Sequence, residues 1–183
     1  MLRAWAAACL FALCGWAFAQ DVQPVPALAG HVIDQTATLS EAQRQAIESR
    51  LTEYEQSAGP QIVVLLIAST APEDISSYAQ RIADSWKIGR RSVGDGIVLV
   101  VAKQDRSIRI EVAKALEGAV PDLAARRIIQ EAISPAFKAG DFAGGINAGL
   151  DQLQARIAGE ALPAPAPRGQ APRKRGINWE MVA

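Results

Sequence analysis

Ile62-Val63-Val64-Leu65-Leu66-Ile67 and Ile97-Val98-Leu99-Val100-Val101 are apolar runs with no polar interruption. Both are rich in β-branched residues, long enough for a strand and short for a helix, which is the pattern of a strand covered on both faces. Two such strands need helices above and below. The fold class is therefore α/β, a three-layer α/β/α sandwich with a small mixed sheet, Rossmann-like in its layering.

The flanking segments supply the helices. Ser40-Glu41-Ala42-Gln43 is a capping box, so a helix is expected from Ser40 with Ile47, Leu51 and Tyr54 on its apolar face and Gly59-Pro60 at its end. A second helix is expected after Asp74, with Ile75, Tyr78, Ile82 and Trp86 on one side. Lys103-Gln104-Asp105-Arg106 turns the second apolar run into the alternating strand Ser107–Val112, which keeps one wet face carrying Arg109 and Glu111. Residues 122–139 place Leu123, Ile128, Ile133 and Phe137 at helical spacing, with Pro135 expected to kink or split the helix. A last helix is expected near Asp141, with Phe142, Ile146, Leu150, Leu153 and Ile157 along its stripe.

At the N-terminus, Arg3, the apolar stretch Ala4–Ala17 and the small-x-small site Ala17-Phe18-Ala19 read as a secretory signal over residues 1–19. The expected location is extracytoplasmic, periplasmic in a bacterium. A connecting segment (20–30) leads to one domain (31–160), followed by a Pro/Ala/Arg-rich tail (161–183) of extended-linker composition. Arg173-Lys174-Arg175 could meet an anionic membrane surface, or lead to a membrane helix beyond this chain, or be solvated. Overall, 19 basic side chains balance 19 acidic ones, which disfavours a nucleic-acid partner. Both cysteines, Cys9 and Cys14, fall within the signal, so the exported part has no thiolate chemistry, and the one histidine, His31, reads as a strand-edge residue rather than a base.

A hairpin of the second and third strands brings two loops to one sheet edge, residues 87–96 and 113–122. Asp95, Glu117 and Asp122 could converge there as oxygen ligands for Ca2+ or Mg2+, with Asp34 joining if its short strand ends at that edge. Lys87 and Arg90 are candidates for holding a phosphate, and Asp95 is the candidate catalytic group. Each has a plainer alternative. Gly94-Asp95-Gly96 is more often simply a turn, Asp122 favours a helix start, Asp34 is an ordinary turn residue, and the basic loop is solvated.

The order Val32-x-Asp34, Gly59-x-Gln61-Ile62-Val63-Val64, Trp86-x-Ile88-Gly89, Gly94-Asp95-Gly96-Ile97-Val98, Asp105-Arg106-x-x-Arg109-Ile110-Glu111-Val112, Leu116-Glu117-Gly118 and Phe137-x-x-Gly140-Asp141 resembles the TPM domain family. Its plant relatives act in photosystem II repair, and an animal relative modulates an acetylcholine receptor. The resemblance implies an exported α/β/α domain, divalent-cation binding and a proposed acid phosphatase activity. The chain departs from the family pattern twice: Gly94-Asp95-Gly96 stands where Asp-Asp-Gly is usual, and Ala113-Lys114-Ala115 where Gly-x-Gly is usual. The resulting expectation is an accessory or binding domain in envelope or membrane-protein maintenance, with a membrane or envelope protein as partner. The alternatives are a metal-dependent phosphatase and a ligand-free interaction domain.

Overall fold

The computed structural model describes residues 22–159. The signal and tail expectations lie outside these residues.

The chain runs β1 (Val32–Asp34), α1 (Glu41–Ala58), β2 (Gln61–Ile67), α2 (Ile75–Trp86), β3 (Gly96–Ala102), β4 (Ser107–Val112), α3 (Asp122–Ile128), α4 (Ser134–Lys138) and α5 (Phe142–Ile157). The sheet order is β1-β2-β3-β4. β1, β2 and β3 are parallel, and β4 pairs antiparallel with β3 through the expected hairpin. From Ile62 to Leu66 and from Gly96 to Val100, β2 and β3 are fully buried.

The alternating side chains of these strands enter two separate cores. Ile62, Val64, Leu66, Ile97, Leu99 and Val101 pack against α1, α5 and the α3–α4 segment. Val63, Leu65, Val98 and Val100 pack against Tyr78, Ala79 and Ile82 of α2. Thus α1 and α2 cover opposite faces although successive strands are added in one direction. The connecting segment contributes to the second face: Trp86 Nε1–H donates to the Pro26 carbonyl (2.8 Å) and Arg81 Nη2–H to that of Gln23 (2.6 Å).

Local chemistry explains the helix ends. Ser40 and Gln43 form the capping box, Asp74 caps α2 through Ser76 N–H and Ser77 N–H, and Asp141 caps α5 through Gly144 N–H. The expected kink at Pro135 takes another form. The chain widens into a π turn over Ile129–Ile133 before Pro135, which has no N–H for the carbonyl one turn earlier and presses its ring on it. Leu123, expected on the buried face, is 64% exposed, because the inward face of α3 is made by Ala124, Ala125 and Ile128.

Candidate functional site

The two loops do meet where β3 begins. Ala113 N–H donates to the Gly96 carbonyl (2.9 Å) and Ala115 N–H to that of Gly94 (3.3 Å). Close backbone approach is built in at Gly89 and Gly96: a Cβ on Gly89 would lie 2.4 Å from Gly96 N, and one on Gly96 would lie 2.4 Å from the Ile88 carbonyl. Gly89 also has φ +91°, a conformation glycine adopts without strain.

Asp95 sits beneath this crossing and is fully buried. Its Oδ1 accepts the Arg90 backbone N–H (2.8 Å), while Oδ2 accepts Arg90 Nε–H (2.8 Å) and lies 2.6 Å from Arg90 Nη2. Its carbonyl accepts Gln61 N–H (3.1 Å), and Gln61 Oε1 accepts Gly89 N–H (2.8 Å). Asp95 therefore ties its own loop to β2. Burial, and then the charge of Asp95, push the Tyr54 phenol above its ordinary pKa.

The other candidates do not converge on it. Asp34 lies at the opposite end of the strands, since it pairs with Leu66 whereas Asp95 bonds to Gln61, roughly 16 Å away at about 3.3 Å per residue. Its carboxylate closes the β1–α1 turn by accepting Thr36 N–H (2.8 Å) and Leu39 N–H (2.8 Å). Burial opposes ionisation there, but these bonds outweigh it and lower the pKa. Asp122 pairs with Arg109 (2.9 Å) and Arg126 (2.8 Å), and Glu117 is exposed beyond a single 3-10 turn, Lys114–Leu116. Of the phosphate candidates, Lys87 is exposed, whereas Arg90 is engaged by Asp95.

This donor set does not fit a resident Ca2+ or Mg2+. A hard cation wants several carboxylate or carbonyl oxygens around one point. Both Asp95 oxygens face Arg90, and the Gly94 and Gly96 carbonyls take backbone N–H groups. Among the described residues, no three Asp, Glu, His or Cys side chains are grouped to hold a metal ion. Gly94 marks the departure most clearly. With φ +74° and open space around an added Cβ, it is where a second carboxylate would project, and it carries none.

Beside the Arg90–Asp95 pair lies a cleft of about 1070 Å³ between the end of α2 and β4, bordered by Asp84, Lys87, Arg91, Gly94 and Glu111. Its charges are mixed. Glu111 is held by Arg109 (3.1 Å). The sequence did not reveal the Arg90–Asp95 pair, although their spacing across a turn was a usable signal. It also hid the partners of His31, which lie one helix away. His31 Nδ1 is 3.0 Å from Glu48 Oε1, and its Nε2 is 2.6 Å from Glu55 Oε2. Burial would lower the His31 pKa, but the bonds to Glu55 and Glu48 outweigh it and raise it above 6.5.

The TPM domain pattern matches residues 32–156. The chain belongs to the TPM domain family. Three solved structures resemble this TPM domain. The N-terminal domain of a protein from P. gingivalis is 26% identical, covers 76% of this chain and 94% of its own, and has a TM-score of 0.68. The BA42 protein from Bizionia argentinensis is 23% identical, over 66% of this chain and 81% of its own, with a TM-score of 0.58. The N-terminal domain of cg2496 protein from Corynebacterium glutamicum is 15% identical, over 83% and 98%, with a TM-score of 0.57. The last two likenesses concern the fold alone. No curated protein matches the chain.

Proposed function

We propose that this TPM domain is an exported accessory domain that engages a membrane or envelope protein through the cleft between α2 and β4, and that it does not act as a metal-dependent phosphatase. One observation carries this. The candidate catalytic carboxylate, Asp95, is fully buried, with both oxygens turned to Arg90. A nucleophile or a cation ligand has to reach the reacting group or the ion with an available oxygen. Lys87 and Arg91, on the rim of the cleft, are the cations placed to meet a partner's acidic groups.

The test is calorimetric titration of the chain from Gln20 onward with Ca2+ and Mg2+, alongside p-nitrophenyl phosphate hydrolysis, for wild type and Asp95→Asn. The expected result is no metal-dependent turnover in either. Turnover that requires the metal and disappears in an Asp95→Asn variant of unchanged circular dichroism would overturn the accessory reading in favour of the phosphatase. Export is tested separately by the N-terminus of the protein recovered from the cell envelope, expected to be Gln20.

A further inference from the structure

The opposite end of the sheet holds a second cavity of about 510 Å³, where the β3–β4 hairpin faces α4 and the start of α5. Its floor is apolar: Ile108 from β4, with the Phe137 and Phe142 rings tilted 42° to each other at 4.8 Å between centroids. Its rim carries Lys103, Arg106 and Lys138, all exposed, and no acidic side chain lines it. The two acids nearest in sequence are turned elsewhere. The Asp105 carboxylate accepts Thr70 N–H (2.8 Å), and that of Asp141 accepts Gly144 N–H (2.8 Å). Lys103 Nζ stands 5.3 Å from the centroid of the Phe142 ring, at the junction of charged rim and apolar floor.

Three cations, two from the β3–β4 turn and one from the end of α4, without an opposing acid and above an aromatic floor, form an arrangement with a specific complement. An anion alone would leave the floor wet. An apolar molecule alone would leave the cations uncompensated. The volume lies within the range of small-molecule sites, and such sites combine an apolar lining with a few convergent polar groups. We propose that this cavity binds single anionic amphiphiles, a carboxylate or phosphate head on an apolar chain. The head is held by Lys103, Arg106 and Lys138, and the chain lies on Ile108, Phe137 and Phe142. The site is independent of the α2–β4 cleft, because it sits at the other end of β3 and shares no residue with it.

The experiment is calorimetric titration of the chain from Gln20 onward with monomeric dodecanoate, and in parallel with dodecanol, inorganic phosphate and phosphatidylglycerol vesicles. Saturable dodecanoate binding is expected, at least tenfold tighter than binding of dodecanol or phosphate. It should weaken at least tenfold in Lys103→Glu/Lys138→Glu, at an unchanged melting temperature. Arg106→Glu is the second variant, expected to weaken binding severalfold from an exposed hairpin-turn position. Absence of saturation at millimolar dodecanoate would overturn the proposal. So would equal affinity for dodecanol or phosphate, or indifference to charge reversal. Binding to the vesicles without binding to monomeric dodecanoate would also overturn it, by assigning the cations to a bilayer surface.

Discussion

Where β3 begins, Arg90 and Asp95 are joined within one loop, and the carboxylate has no exposure. Where β3 ends, Lys103, Arg106 and Lys138 stand on the surface around an apolar cavity with no acid among its lining residues. The charges at the first end serve the fold, because a buried ion remains charged only when it is paired and hydrogen-bonded. Those at the second end contribute little to folding and are available to a ligand. Charged residues therefore divide by whether the protein already supplies their partner, and richness in charge does not by itself mark a site.

Breaking the buried pair should have the largest effect on stability. Asp95→Ala leaves the Arg90 guanidinium without its carboxylate, and denaturant unfolding should show a loss of about 3–5 kcal/mol. Gly89→Ala attacks the same crossing through the backbone, where the new Cβ would meet Gly96 N at 2.4 Å and φ is +91°. About 3 kcal/mol is expected, read from the same unfolding curves.

A smaller and pH-dependent effect is expected at His31. Its folded pKa is raised, so its contribution is complete below 6.5 and fades as pH rises through the folded value. Glu48 works in the other sense. Burial opposes its ionisation, but bonds from the His31 and Val32 N–H groups and the His31 ring lower its pKa, so its contribution is present above 4.5 and fades as pH falls through the folded value. His31→Gln should therefore cost about 1 kcal/mol between these limits and less at pH 9, measured by melting temperature across pH.

Gly94→Asp sharpens the comparison from the other side. The added Cβ meets nothing within 4 Å, so the cost should be about 1 kcal/mol or less, from its positive φ alone. Calcium titration should then show weak binding, on the order of millimolar, that wild type lacks.

The layers and most element boundaries were legible because burial and capping leave local marks. Two uninterrupted apolar runs announced the central strands, and Ser40, Asp74 and Asp141 announced helix starts that the structure has. The meeting of the two loops was also legible, since a hairpin fixes which ends are adjacent. Asp34 was not, because its position depends on β1 running parallel to β2, and strand order leaves no local trace. The commitment of Asp95 escaped for a related reason: nothing in Gly94-Asp95-Gly96 says whether the carboxylate points at solvent or at the chain before it. The surface cations of the hairpin cavity come from two stretches, Lys103 and Arg106 in the β3–β4 turn and Lys138 at the end of α4, which only the tertiary fold assembles.

The placement of α1 and α2 on opposite faces, with β1, β2 and β3 added in one direction, fixes the hand of the chain. Two like-directed steps that cross opposite faces have opposite hands, so one of these β-α-β crossovers is left-handed, against a preference of about 98% for the right-handed form. In a doubly wound sheet, the loops leaving two neighbouring parallel strands part to opposite faces only where strand order reverses, and the parting opens a crevice at their carboxyl ends. Here the change of hand produces the same parting between β1 and β2 with no reversal. A cavity of about 360 Å³ lies there, and the chain ahead of β1 forms one wall of it: Gln23, Pro24 and Pro26 border it, together with Gln35 after β1 and Ala68 and Ser69 after β2. The segment ahead of β1 is thus a wall of a topological opening, bonded to α2 through Trp86 and Arg81, and a structural member of the domain.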